Sequence, residues 1–278
     1  MDTSYLSLLI FIVITVLYYL VAKPQLKITE LSDETYAAYS SKSNILLLCY
    51  FGLVVVSQII MNSSVIINTC GGSLAQNFGA AFLLTVIPWF FIFGIVIIAL
   101  IMFPGFKTAF SNVIGYFAVS GKANQLLSTL LVNSEVNQTI DESTQGNEEK
   151  RKELKSAAEA IIKLVGNMSI LINQIVPGNF VEYWSMLTPL MKEEYQKNEP
   201  LDLKQQLLNT VVLRDNIGEA MWYVYTAILL ISITQYNIMK RGCVADLTTM
   251  KANHDQYLQQ EEAVQTANQK ATSTVYTY

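Results

Sequence analysis

At 278 residues, with 52% hydrophobic and only 14% charged side chains and a mean hydropathy of +0.34, the chain is too apolar for an ordinary soluble domain and reads as an integral membrane protein. A net charge of -4 supplies no basic field, so no nucleic-acid partner is expected. Cys49, Cys70 and Cys243 have neither CxxC spacing nor a nearby histidine, so no metal centre or other cofactor is expected of them.

The first apolar run, residues 1–22, is long enough from Tyr5 onward to cross a bilayer as a helix. No cation precedes it, and Tyr18-Tyr19-Leu20-Val21-Ala22-Lys23 lacks a small-x-small cleavage pattern, so it is expected to be a retained anchor. Lys23-Pro24 stops this helix, and residues 23–43 are expected to form a polar connector. A second span is expected at residues 44–61, where apolar side chains cover every helical face. Residues 62–79 hold no charge and contain Cys70-Gly71-Gly72, which predicts a loop with tight turns. Residues 80–102 are the most apolar run, and their internal Pro88 predicts a kink.

Pro104-Gly105 cannot continue that span, because proline lacks an amide donor and glycine eases a bend. Residues 103–131 therefore read as an interfacial joint and helix. Pro104, Gly105, Phe106, Lys107, Phe110 and Tyr116 mix rings with a cation, a combination suited to the membrane–water boundary. A polar linker is expected at 132–147 and a small helical domain at 148–219. Inside that domain Leu154, Ala158, Ile161, Val165, Met168, Ile172 and Ile175 recur at alternating spacings of four and three. That pattern suits either a core-facing amphipathic helix or a seam for lateral assembly into a homo-oligomer. A short helix is expected over 202–215, then a fourth span at 220–239 with Trp222, Tyr223 and Tyr225 at one end and Tyr236 at the other, closed by Lys240-Arg241. Residues 240–278 are expected to be a flexible tail with some helical character. The fold class is all-α, a polytopic membrane protein with about four transmembrane helices and a small helical extramembrane domain.

Lys23, Lys27 and Lys42 in the first connector, against no cation in residues 62–79, place the connector and the helical domain on the cytosolic side and both chain ends on the lumenal side. Lys240 and Arg241 oppose that assignment. On this topology Cys70 and Cys243 share one side and either pair or stay as two thiols, while Cys49 is expected to be a buried thiol. No enzyme is expected. The single histidine, His254, lies in the tail, no nucleophile–base–acid constellation assembles, and no phosphate-binding glycine motif occurs. The spans hold no ionisable residue, and Glu219, at the edge of the fourth, is expected to join Arg214 and Asp215 in a local ion-pair cluster.

Three stretches carry a resemblance. Phe103-Pro104-Gly105-Phe106-Lys107 followed by Phe110-Ser111-Asn112-Val113-Ile114-Gly115-Tyr116, Val176-Pro177-Gly178-Asn179-Phe180 with Trp184, and Arg214-Asp215-Asn216-Ile217-Gly218-Glu219 leading into Trp222-Tyr223 resemble segments in membrane proteins of nucleocytoplasmic large DNA viruses of algae and amoebae. Where that family favours Trp before the cation, this chain has Phe106. The resemblance implies a virion component of the internal membrane, a minor capsid protein that links bilayer to shell, with capsid proteins or other virion membrane proteins as partners and assembly on an endoplasmic-reticulum-type membrane. The competing expectation is a membrane-active viral protein, either a channel or a factor that lets a particle enter and fuse.

Overall fold

The computed structural model describes residues 3–71, 73–131, 168–241, 243 and 247–273. Four of its helices are long and apolar enough to cross a membrane: Ser4–Ala22, Asp33–Cys70, Asn77–Met102 and Leu201–Arg241. The protein is all-α, with four candidate spans and further helices outside them.

The first span is α1 (Thr3–Leu17) extended by a π-helical turn (Tyr18–Ala22), and α2 is Asp33–Cys70. Helix α2 differs from expectation at both ends. It begins inside the predicted connector, because Ser32 precedes a first turn carrying Asp33 and Glu34, where carboxylates favour the helix N-terminus. It also continues through the predicted loop as far as Cys70. The polar residues there do not break it: Ser64 and Thr69 donate their hydroxyls to the carbonyls of Ile60 and Val65 one turn back. The turn comes only at Gly71, whose φ of 72° suits glycine.

The third span is α3 (Leu74–Pro88), a π-helical turn (Trp89–Phe93) and α4 (Gly94–Met102). The proline is followed at once by the π turn, a wider coil that accommodates its missing amide. A 3-10 turn (Pro104–Lys107), α5 (Thr108–Phe110) and another π turn (Ser111–Gly115) lead into α6 (Tyr116–Leu130). The linker at 132–147 lies outside the described residues, as do Leu154, Ala158, Ile161 and Val165. The chain is next described at α7 (Met168–Gln174), followed by α8 (Phe180–Leu187) and α9 (Glu193–Lys197). Helix α10 (Leu201–Arg241) then merges the expected short helix and the fourth span into one rod of 41 residues, about 60 Å long. Helix α11 (Leu247–Ser273) gives most of the expected flexible tail a regular form, and its side chains from His254 to Asn268 are exposed.

Two cores result. The bundle core gathers Phe11, Trp89, Phe93 and Tyr223 in tilted and edge-on contacts, with ring centroids 5.3 to 5.9 Å apart, beside Tyr18 and Tyr50. Polar pairs tie the spans together nearer the Cys70 end: Ser7 donates to Gln58 at 2.6 Å, Asn62 to Thr85 at 2.8 Å, and Gln235 to Asn62 at 3.2 Å. Such bonds between spans replace the water that lipid cannot supply. The second core is that of the domain. It draws on more of the chain than residues 148–219, because Leu26 of the connector and Leu126, Leu127 and Leu130 of α6 pack with Ile172, Phe180, Trp184, Leu187 and the Leu207–Leu208–Val211 face of α10. Within the predicted assembly seam, Ile172 and Ile175 are therefore core residues, buried against the protein's own helices.

Candidate functional site: the junction of bundle and domain

Where span four meets the domain, Glu219 is 5% exposed and collects partners from three separate parts of the chain. Lys107 Nζ lies 2.5 Å from its Oε2 and Lys23 Nζ 3.2 Å from its Oε1. The Tyr19 hydroxyl donates to Oε1 at 2.9 Å and the Tyr223 hydroxyl at 3.4 Å. Lys107 also reaches Asp215 at 3.4 Å, which balances two cations with two anions. The Lys23 ammonium sits 4.9 Å from the centre of the Tyr19 ring. Burial pulls the Lys107 ammonium down, but the Glu219 and Asp215 carboxylates outweigh it and hold the group above its ordinary value. For Lys23 burial dominates over Glu219, and Lys107 repels it, so its ammonium is pulled down.

Local sequence explains how these groups are delivered. Lys23 is the residue that ends span one, Lys107 closes the 3-10 turn that Pro104 starts after span three, and Glu219 sits one turn below Asp215 on α10. The joint is fastened to α10 along its backbone too. The Trp222 indole N–H donates to the Phe106 carbonyl at 2.9 Å, and Phe110 meets the Trp222 ring edge-on at 5.1 Å. A Cβ on Gly115 would stand 2.5 Å from the Arg214 carbonyl oxygen, and one on Gly218 2.6 Å from Ser111 Cβ. Only glycine permits the two helices to approach so closely.

Several expected site residues act differently from expectation. Lys107 is committed to Glu219 and Asp215, and Phe110, half-buried, packs edge-on against Trp222 of α10. Arg214 turns away from the Glu219 cluster. Fully buried, it donates to the carbonyls of Ile172 and Ile175 at the end of α7, where a cation complements the helix terminus. Phe106 is exposed and Tyr116 half-buried against the domain core. Cys70 and Cys243 form a disulfide at the opposite end of the bundle. Cys49 is exposed, not buried, because it lies on the outer face of α2.

The sequence marked Glu219 as unusual but not its partners. A clue was present in Lys23 and Lys107, each placed just beyond a span on the side where α10 enters. What the arrangement can do is hold: it offers a neutral, fully partnered charge lock with tyrosine hydroxyls below it. Among the described residues no three His, Cys, Asp or Glu side chains gather to hold a metal ion. Comparison with protein families, curated proteins and solved structures finds no match for the chain.

Proposed function

We propose that this protein is a structural anchor of a virion's internal membrane, a minor capsid protein that fixes a helical domain to one face of the bilayer so that the domain can meet the capsid shell. The resemblance of the joint, the Val176–Phe180 stretch and the Arg214–Tyr223 stretch to large-DNA-virus membrane proteins supplies the virion. The geometry supports the anchor, and the observation that carries this reading is the lock of Lys23, Lys107, Asp215 and Glu219. A domain joined to its spans by buried ion pairs, two glycine contacts and one uninterrupted helix can transmit force without hinging.

The rings of Phe11, Trp89 and Phe93, all without exposure, fill the middle of the bundle, which favours an anchor over a pore through a single chain. On this reading the domain-side surface, together with capsid proteins, sets the spacing between shell and membrane. Cryo-electron imaging of particles that carry the protein tests it. Density bridging bilayer and shell at the domain is the expected result. Protein found only in host membranes, or ion conductance after reconstitution in liposomes, would overturn it.

A further inference from the structure

The joint presents an apolar surface that no part of the described chain covers. Beyond span three, Phe103, Phe106, Val113, Ile114 and Phe117 are exposed, Phe117 by 85%. The surface continues the outward face of that span, where Ile98, Ile101 and Met102 are exposed. Along α6 the outward positions then change character: Ala118 and Gly121 follow Phe117, and after them come Lys122, Asn124, Gln125 and Ser128, all exposed.

The level of this change follows from the register with α10. Ser111 faces Gly218 and Gly115 faces Arg214, so the two helices run antiparallel in step, and Phe117 lies at the height of Val212. Helix α10 changes at the same height, from exposed Leu213 to exposed Asn209 and Gln206. On α2 the change from polar to apolar exposure comes lower, between Asn44 and Ile45. Tyr50 stacks on Tyr223 at 5.9 Å, which sets Asn44 near the height of Gly218. The apolar perimeter thus rises about 9 Å higher at the joint than at α2, roughly six residues of helix.

We propose that Val113, Ile114 and Phe117 lie in the acyl-chain region of the domain-side leaflet, so that residues 103–121 form a wedge inserted in one leaflet only. The occupant of the surface is lipid, because the surface is continuous with the lipid-facing side of span three and ends at matching polar borders on two helices. Contiguous exposed apolar patches mark partners or membranes, and here the bilayer is already adjacent. The leaflet rises to meet the wedge or the bundle tilts toward it. This inference rests on the spans crossing a bilayer and does not depend on the virion reading.

Spin labels on the full-length protein test it. In a Cys49→Ser background, which leaves the disulfide in place, Val113→Cys, Phe117→Cys, Ile98→Cys and Lys122→Cys are each labelled and reconstituted in phosphatidylcholine vesicles. Ile98 serves as the lipid reference and Lys122 as the water reference. The expected result is that labels at 113 and 117 collide preferentially with oxygen over a water-soluble nickel chelate, as at 98, with the opposite preference at 122. A label at 117 that prefers the nickel chelate would overturn the proposal by showing a wet surface. Exclusion of both probes at 117 would also overturn it, by showing that a second protein copy covers the face.

Discussion

Lys107 and Glu219 stand 2.5 Å apart and join the turn after span three to the point where α10 leaves the domain. Both side chains are largely shielded from solvent, at 15% and 6% exposure, so each depends on the other. Removing one partner of a buried pair leaves the other charge uncompensated, at a cost of about 3 kcal/mol. Glu219→Gln should lower stability by that order, read as the unfolding midpoint in detergent. Glu219→Gln combined with Lys107→Gln should cost less than the sum of the two single changes. Additive effects would mean that the pair is not energetically coupled.

Gly115→Ala and Gly218→Ala should each force the Ser111–Gly115 turn and α10 apart, because the new methyl would stand 2.5 to 2.6 Å from its neighbour. A loss of about 1–3 kcal/mol is expected from overpacking. Gly121→Ala is the control, since nothing lies within 4 Å of its Cβ position. In mid-helix it should raise the midpoint slightly, by the order of 1 kcal/mol of helix propensity. Equal behaviour of all three variants would argue against close packing at the junction.

The Cys70–Cys243 disulfide spans 173 residues of sequence and clips the end of α2 to the end of α10. Without reductant a thiol-reactive mass tag should add once per denatured chain, at Cys49, and after reduction three times. Cys70→Ser with Cys243→Ser should cost about 2–4 kcal/mol. Three additions without reductant would show that the pair is open.

Asn62 takes part in two bonds between spans, to Thr85 and from Gln235. Asn62→Leu should destabilise the bundle by about 1 kcal/mol, in line with the modest worth of polar contacts between membrane helices. It should also weaken cross-linking between cysteines placed on α2 and α10 near this level. An unchanged midpoint and unchanged cross-linking would leave the pair without a structural role.

The two proline sites show how much could be read locally. Pro104-Gly105 ends span three as its chemistry requires, and Pro88 sits inside a span without ending it. Local reading failed where a polar run was mistaken for a loop. Residues 62–70 stay helical because their hydroxyls and amides bond to the previous turn or to neighbouring spans, and that second set of partners is remote in sequence. It failed again at residues 216–219, which fell between the expected short helix at 202–215 and the fourth span at 220–239. Gly218 is small because Ser111 lies against it, and α10 passes through unbroken.

The helical class, the four apolar segments and the isolation of Glu219 at the edge of the last one are legible in the residues alone, since hydropathy and backbone chemistry act over a turn or two of helix. Tertiary structure alone decided what Glu219 is for. Its carboxylate is tolerable in a buried site only because Lys23, Lys107, Tyr19 and Tyr223 converge on it from segments far apart in the chain, and long-range pairing of charges leaves no periodic trace in a sequence. The same holds for Phe117, apolar in any reading, whose place on the outside of α6 became visible only once the glycine contacts set that helix against α10.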